Sequence, residues 1–139
     1  MNYVQGKKIK MGQIFREEEV IPVTFVELDD DSADFVVGEK VKVSGRSKGR
    51  GFQSVTKRHG FSGMPKSHGQ KHTHRTSGSI GATGPQRVFP GVKMAGRMGM
   101  TKVNVRNLEV VAYEKARKLL AIKGALPGMR GSRVTIYNK

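Results

Sequence analysis

The chain has no cysteine and no tryptophan, and only 36% of its 139 residues are hydrophobic. Without cysteine it has no disulfide, no thiolate metal ligand and no cysteine nucleophile. So small an apolar fraction confines a packed core to part of the chain. No apolar run approaches the ~20 residues that span a bilayer. The opening "MNYVQGKKIKMG" is basic but has no apolar stretch behind it of the kind a secretory signal carries. These absences lead to the expectation of a single soluble, cytoplasmic domain with no membrane partner.

The scarcity of acid is more informative. Eleven Asp and Glu face 26 Lys and Arg, a net charge of +15. Nine of the acids lie between Glu17 and Glu39; Glu109 and Glu114 are the others. From Lys40 to Leu108 there are 69 residues without one carboxylate, and fifteen Lys and Arg among them. Ordinary surfaces mix the two signs. A long internal stretch of one sign repels itself unless a polyanion neutralises it, which points to nucleic acid. An anionic membrane fits less well, because no amphipathic apolar face accompanies the charge.

What is present divides into three zones. Residues 1–45 read as short strands. "VIPVTFVEL" sets Ile21, Val23 and Phe25 on one face and Val26 and Leu28 on the other, with Pro22 marking a strand start or edge. "LDDDSAD" reads as an acidic, solvated hairpin end, and Val41 and Val43 alternate with Lys40 and Lys42 in "FVVGEKVKVSG". Residues 46–100 show no sustained period and are broken by glycines and by Pro65, Pro85 and Pro90. A loop this long is either functional or disordered. Its charge makes it an extended arm that orders against a polyanion. Residues 101–139 return to strand-like alternation in "TKVNVRNL", "LEVVAY", "KLLAIKG" and "RVTIYN". Leu108, Val111, Ala112, Leu119 and Ile122 also suit a helix capped by Asn107, so the pattern alone leaves both readings open.

Within the arm, "GRSKGRGF" resembles a phosphate loop but lacks the spacing G-x-x-x-x-G-K-[ST] and a strand-to-helix context. A basic, glycine-rich RNA contact accounts for it better. Three of the four histidines, His68, His72 and His74, fall within "SHGQKHTHRTSGSIG". A zinc site needs three or four convergent ligands with groups behind them to orient the rings. No carboxylate lies near enough in sequence to serve, and Pro65 and Gly69 disfavour the helix that would align His68 with His72. Beside Lys71 and Arg75, imidazoles that stack on bases or donate to phosphate are more coherent. The missing acids also exclude two-metal and general acid–base hydrolysis. Phe52, Phe61 and Phe89 are either stacking platforms or local anchors.

Several segments resemble one family in order along the chain. "GKKIKMGQIF" is similar to its opening and "IPVTFVEL" to its next strand. "VSGRSKGRGFQSVTKRHGF", "SHG", "HRTSGSIG" and "RVFPGVKMAGRMG" are similar to its central arm, and "VNVRNLEVV" and "LLAIKGALPG" to its closing strands. The family is the universal large-subunit ribosomal protein L-three, in its bacterial form. The resemblance implies a mostly β protein: a small β-barrel body from 1–45 and 101–139, with a long irregular glycine-rich basic arm, 46–100, inserted between strands. It implies two strands around a turn at Glu114–Arg117 rather than a helix. Bacterial members usually carry several tens more residues between the strand ending at Leu28 and one beginning near Phe35, so the resemblance implies a β-barrel body and leaves its closure open. Some bacteria methylate a glutamine directly after "GSIG"; Ala82 stands there in this chain and excludes that modification.

The expected function is a non-enzymatic, structural constituent of the large ribosomal subunit, without cofactor, metal or small-molecule substrate. Its expected partners are large-subunit rRNA and neighbouring ribosomal proteins. The expected rRNA-binding residues are Arg46, Lys48, Arg50, Lys57, Arg58, His59, Lys66, His68, Lys71, His72, His74, Arg75, Arg87, Lys93 and Arg97. By resemblance the tip of the arm, Ser77, Gly78, Ser79, Ile80, Gly81 and Ala82, approaches the peptidyl-transferase centre, with Gly78, Gly81 and Gly84 taking backbone shapes closed to larger residues. The alternatives are a free-standing nucleic-acid binder with a small β body, and a histidine-metal nuclease.

Overall fold

The computed structural model describes residues 3–30 and 34–138. The elements in order are β1 (Tyr3–Arg16), β2 (Glu19–Leu28), β3 (Lys40–Arg46), β4 (Phe52–Gln53), α1 (Val55–His59), β5 (Gly96–Arg97), β6 (Lys102–Glu114), β7 (Leu119–Lys123) and β8 (Arg133–Tyr137). Two compact units result: a body, Met1–Lys48 with Met100–Lys139, and an arm, Gly49–Gly99.

In the body, six antiparallel strands close into a barrel in the order β1-β2-β7-β6-β3-β8. The expected β-barrel body is therefore present, and the closure that the sequence left open is complete. Closure is possible because both long hairpins are irregular. The β1–β2 ladder slips between Lys8 and Lys10, the β6–β7 ladder between Val110 and Ala112, and the β3–β6 ladder between Val41 and Val43. Each slip bends and twists its strand, which is what a barrel of few strands needs. The hairpin expected at the acidic turn is also corrected. Both edges of β2 are taken by β1 and β7, so the chain crosses to β3, which pairs with β6 and β8. Asp31, Ser32 and Ala33 of that turn lie outside the described residues. The third strand begins at Lys40 rather than near Phe35. Phe35 itself is buried edge-on against Tyr113, their ring centres 5.6 Å apart, while Val36 and Val37 are exposed.

The two apolar faces of β2 pack in separate places. Val26 and Leu28 join Val4, Val41, Val43, Val110, Leu120, Ile122, Val134 and Ile136 in the barrel interior. Ile21 and Val23 form a smaller cluster with Val111 and Ala121, flanked by Ile14 and Phe25. Residues 107–122 form two strands around a 3-10 turn at Lys115–Arg117, and the helical alternative is gone. The turn carries the ion pairs Lys115–Asp34 (2.6 Å) and Arg117–Glu114 (3.4 Å).

One buried residue on β1 is charged. Lys8 is 7% exposed, and its ammonium donates to the carbonyls of Leu126 (2.9 Å) and Gly128 (3.2 Å). Desolvation, and secondarily the charge of Lys48, lowers its pKa below the usual 10.5. The unfolded chain then holds more protons than the folded one in the window beneath 10.5, so stability rises with pH there. Denaturant unfolding of the wild type and Lys8→Met, followed from neutrality to pH 10.5, should show the wild type gaining on the variant as pH rises. A constant difference would refute the assignment.

Candidate nucleic-acid interface

The first and last residues of the arm are held together by backbone. β4 and β5 pair Phe52 with Arg97 and Gln53 with Gly96. Arg50 N donates to Met98 O and Met98 N to Gly51 O, both at 2.9 Å. Directly after β4 the chain makes the single turn α1, which the sequence reading missed. Its signal was available: Ser54 at the N-cap and Gly60 at the C-cap, where a φ of 75° places the residue in the left-handed region. Gly60 N closes the turn on Thr56 O (3.1 Å), and Lys57, Arg58 and His59 sit in its last turn, where cations complement the helix C-terminus.

That turn separates the three adjacent basic residues by role. Arg58 Nη1 donates to Met94 O (2.8 Å), and His59 Nε2 lies 3.2 Å from the same carbonyl. The Arg58 guanidinium also packs where a side chain on Gly96 would be; a Cβ there would lie 2.7 Å from Nη1. Arg58 and His59 therefore tie the two sides of the arm together; Lys57, exposed like Arg58, makes no such contact among the described residues.

The histidine segment folds back on the residues after α1. A Cβ on Gly63, whose φ is 76°, would fall 2.2 Å from the backbone oxygen of His74, so only glycine fits there. His74 Nδ1 lies 3.0 Å from Pro65 O, while His68 and His72 are exposed. Among the described residues no group of three or more His, Asp or Glu is placed to hold a metal ion.

The remaining candidates, Arg46, Lys48, Arg50, Lys66, Lys71, Arg75, Arg87, Lys93 and Arg97, are all exposed. Among the described residues no arm cation has a carboxylate partner; the described ion pairs, Lys115–Asp34, Arg117–Glu114 and Lys123–Glu109, belong to the body. Phe52 and Phe89 are exposed, the latter under the Arg87 guanidinium at 5.8 Å, and Phe61 is half-buried beside His59. An exposed array of cations, imidazoles and aromatic rings can contact phosphates and stack on unpaired bases.

At the tip, Ser79 Oγ donates to Gly81 O (2.8 Å), and Ile80 is 43% exposed. Gly78 has the expected left-handed backbone, φ 72°. The expectation fails at Gly81 and Gly84. Neither has a positive φ, a Cβ on Gly81 meets nothing nearer than Arg87 O at 3.6 Å, and Gly84 has open space. Within the chain itself, both positions could carry a side chain.

Residues 4–123 match the family model described as Ribosomal protein L3. The chain is 56% identical over 102 residues to a large ribosomal subunit protein uL3 of Carboxydothermus hydrogenoformans, covering 73% of this chain and 48% of that one. It is 51% identical over 116 residues to that of Pelotomaculum thermopropionicum, covering 83% and 55%. It is 44% identical over 134 residues to that of an Acidovorax species, covering 92% and 60%. The chain thus spans about half the length of the curated relatives it matches.

Proposed function

The chain belongs to the ribosomal protein L3 family, and from that membership we propose that it is a structural, non-catalytic component of the large ribosomal subunit. In this reading the arm binds rRNA, supports early subunit assembly and carries residues 77–82 toward the peptidyl-transferase centre. The observation that carries the reading is the acid-free stretch from Lys40 to Leu108, whose arm cations are exposed and, among the described residues, unpaired by carboxylates. A surface so arranged gains most of its interaction energy from phosphates and suits the packing of rRNA helices against one another. Neighbouring large-subunit proteins are the remaining partners in this reading.

Sedimentation tests it. Tagged protein expressed in bacteria should travel with large subunits through high-salt gradients. Release from the subunits as salt rises would favour the free-standing nucleic-acid binder.

The tip has a separate test. "SGSIGATGP", Ser77–Pro85, contains no Lys or Arg, so phosphate neutralisation is not its task. Because the free arm has room for a side chain at Gly81, Gly81→Val should leave folding and incorporation intact. Its bulk should disturb peptidyl transfer, or drugs bound near that centre, in reconstituted subunits. Normal assembly together with normal transfer and unchanged drug footprints would remove the tip from that location.

A further inference from the structure

The outward faces of β1, β8 and β3 carry a pattern unrelated to the arm. Tyr3 on β1 pairs in register with Tyr137 on β8, which pairs with Lys42 on β3. The two rings are 6.1 Å apart, and the Lys42 ammonium lies 4.9 Å from the Tyr137 ring centre. Two residues along, Gln5 pairs with Thr135, and a further two along Lys7 pairs with Arg133; Ser44, the β3 partner of Thr135, is buried. Outward positions on a strand recur every ~6.6 Å, so an aromatic, a polar and a cationic pair follow one another along β1 and β8, with Lys42 of β3 beside the aromatic one.

Two hollows border this face. One, about 240 Å³, is lined by Lys40, Lys42, Arg106, Asn107 and Tyr137. It is smaller than the ~300 Å³ at which drug-sized pockets begin, a size that suits a single base rather than a larger ligand. The other, about 640 Å³, is bordered by Arg46, Lys102 and Arg133 together with Ser47 and Ser132. Among the described residues no carboxylate lies within ion-pair distance of Lys42, Arg46, Lys102, Arg106 or Arg133. A cross-strand tyrosine pair beneath a lysine supports a sheet on its own. That role requires neither a Tyr3 left 60% exposed nor unpaired cations around it. Sheet faces that present aromatic rings beside cations are a recurrent platform for single-stranded RNA.

We infer that this face of the body is a second RNA-docking surface, on which Tyr3 and Tyr137 stack an unpaired base while Lys42, Arg106 and Arg133 hold the flanking phosphates. The inference rests on the reading of the chain as an rRNA-binding protein and adds to it a base-stacking contact outside the arm.

The test uses the full chain and two probes: a short single-stranded oligoadenylate, and a ribose-phosphate strand of the same length without bases. The wild type should prefer the strand with bases. Tyr3→Ala should lose about 5- to 150-fold in affinity for it, the range found when a stacking aromatic is truncated, with little change for the abasic strand. Tyr3→Phe should restore binding. Tyr3→Leu, which keeps apolar bulk on the sheet, should melt like the wild type yet bind like Tyr3→Ala. Ultraviolet crosslinks should map to Tyr3 or Tyr137. If the Tyr3 variants bind as the wild type does and all crosslinks fall within 49–99, this surface is refuted while rRNA binding by the arm stands. If the wild type binds no RNA at all, the functional reading fails and this surface with it.

Discussion

Affinity for an isolated large-subunit rRNA fragment should fall roughly 10⁴-fold between about 50 and 200 mM salt. The size follows from counting cations. Nine Lys and Arg lie between Gly49 and Gly99, and one of them, Arg58, is engaged with Met94 O. Eight remain to displace counterions from RNA. Each phosphate neutralised adds about 0.7–0.9 to the slope of log affinity against log salt, which over a fourfold change in salt gives about three to four decades. The geometry further separates neighbours that sequence treats alike. Lys57→Gln should reduce the slope by about 1 and leave the arm otherwise unchanged. Arg58→Gln should change the slope less and instead lower amide protection around Met94–Arg97, because its side chain bonds α1 to Met94 O. Filter binding across a salt series checks both. A nearly flat dependence would remove the electrostatic account of the arm.

How much of this was legible beforehand follows from what sets each feature. The two apolar faces of β2 were readable because a period of two needs no partner to be seen. That the faces fill different clusters was not readable, since it depends on β6 and β7 arriving from 80 or more residues away. Barrel closure was illegible for a similar reason. It depends on register slips at Lys8/Lys10 and Val110/Ala112, which arise between strands and leave no mark in either one. Charge segregation announced the interface, because electrostatic repulsion accumulates over a segment whatever its conformation. The different roles of Lys57, Arg58 and His59 were invisible, because a one-turn helix decides which side chain meets Met94. Tyr3 and Tyr137 stand at opposite ends of the described chain, and only the β1–β8 register makes them neighbours.

Two glycines on β1 should respond very differently to the same added methyl group. Gly6 faces the barrel interior, and a Cβ there would sit 2.6 Å from the backbone oxygen of Glu27 and 2.8 Å from Val26 Cγ1. Neither can move freely: Val26 is fully buried, and Glu27 O belongs to the strand paired with β1 in the barrel wall. Gly6→Ala must therefore push β1 away from β2 or distort the core, which costs about 1–3 kcal/mol. For a body of this size each kcal/mol lowers the melting temperature by about 4–8 °C. Gly12, on the same strand, would meet only the ring edge of Phe25 at 2.9 Å. That ring is only half-buried, and a rotation about its side-chain bonds relieves the contact. Gly12→Ala should cost under about 1 kcal/mol, offset in part because alanine lowers the entropy of the unfolded chain. Neither residue has a positive φ, so backbone strain does not enter and the comparison isolates crowding against fixed and movable neighbours. Thermal unfolding of the two variants beside the wild type gives the answer. Equal losses would show that the β1–β2 wall yields as readily at Gly6 as the Phe25 ring does at Gly12, and the barrel would then be far softer than its closed ladder of hydrogen bonds implies.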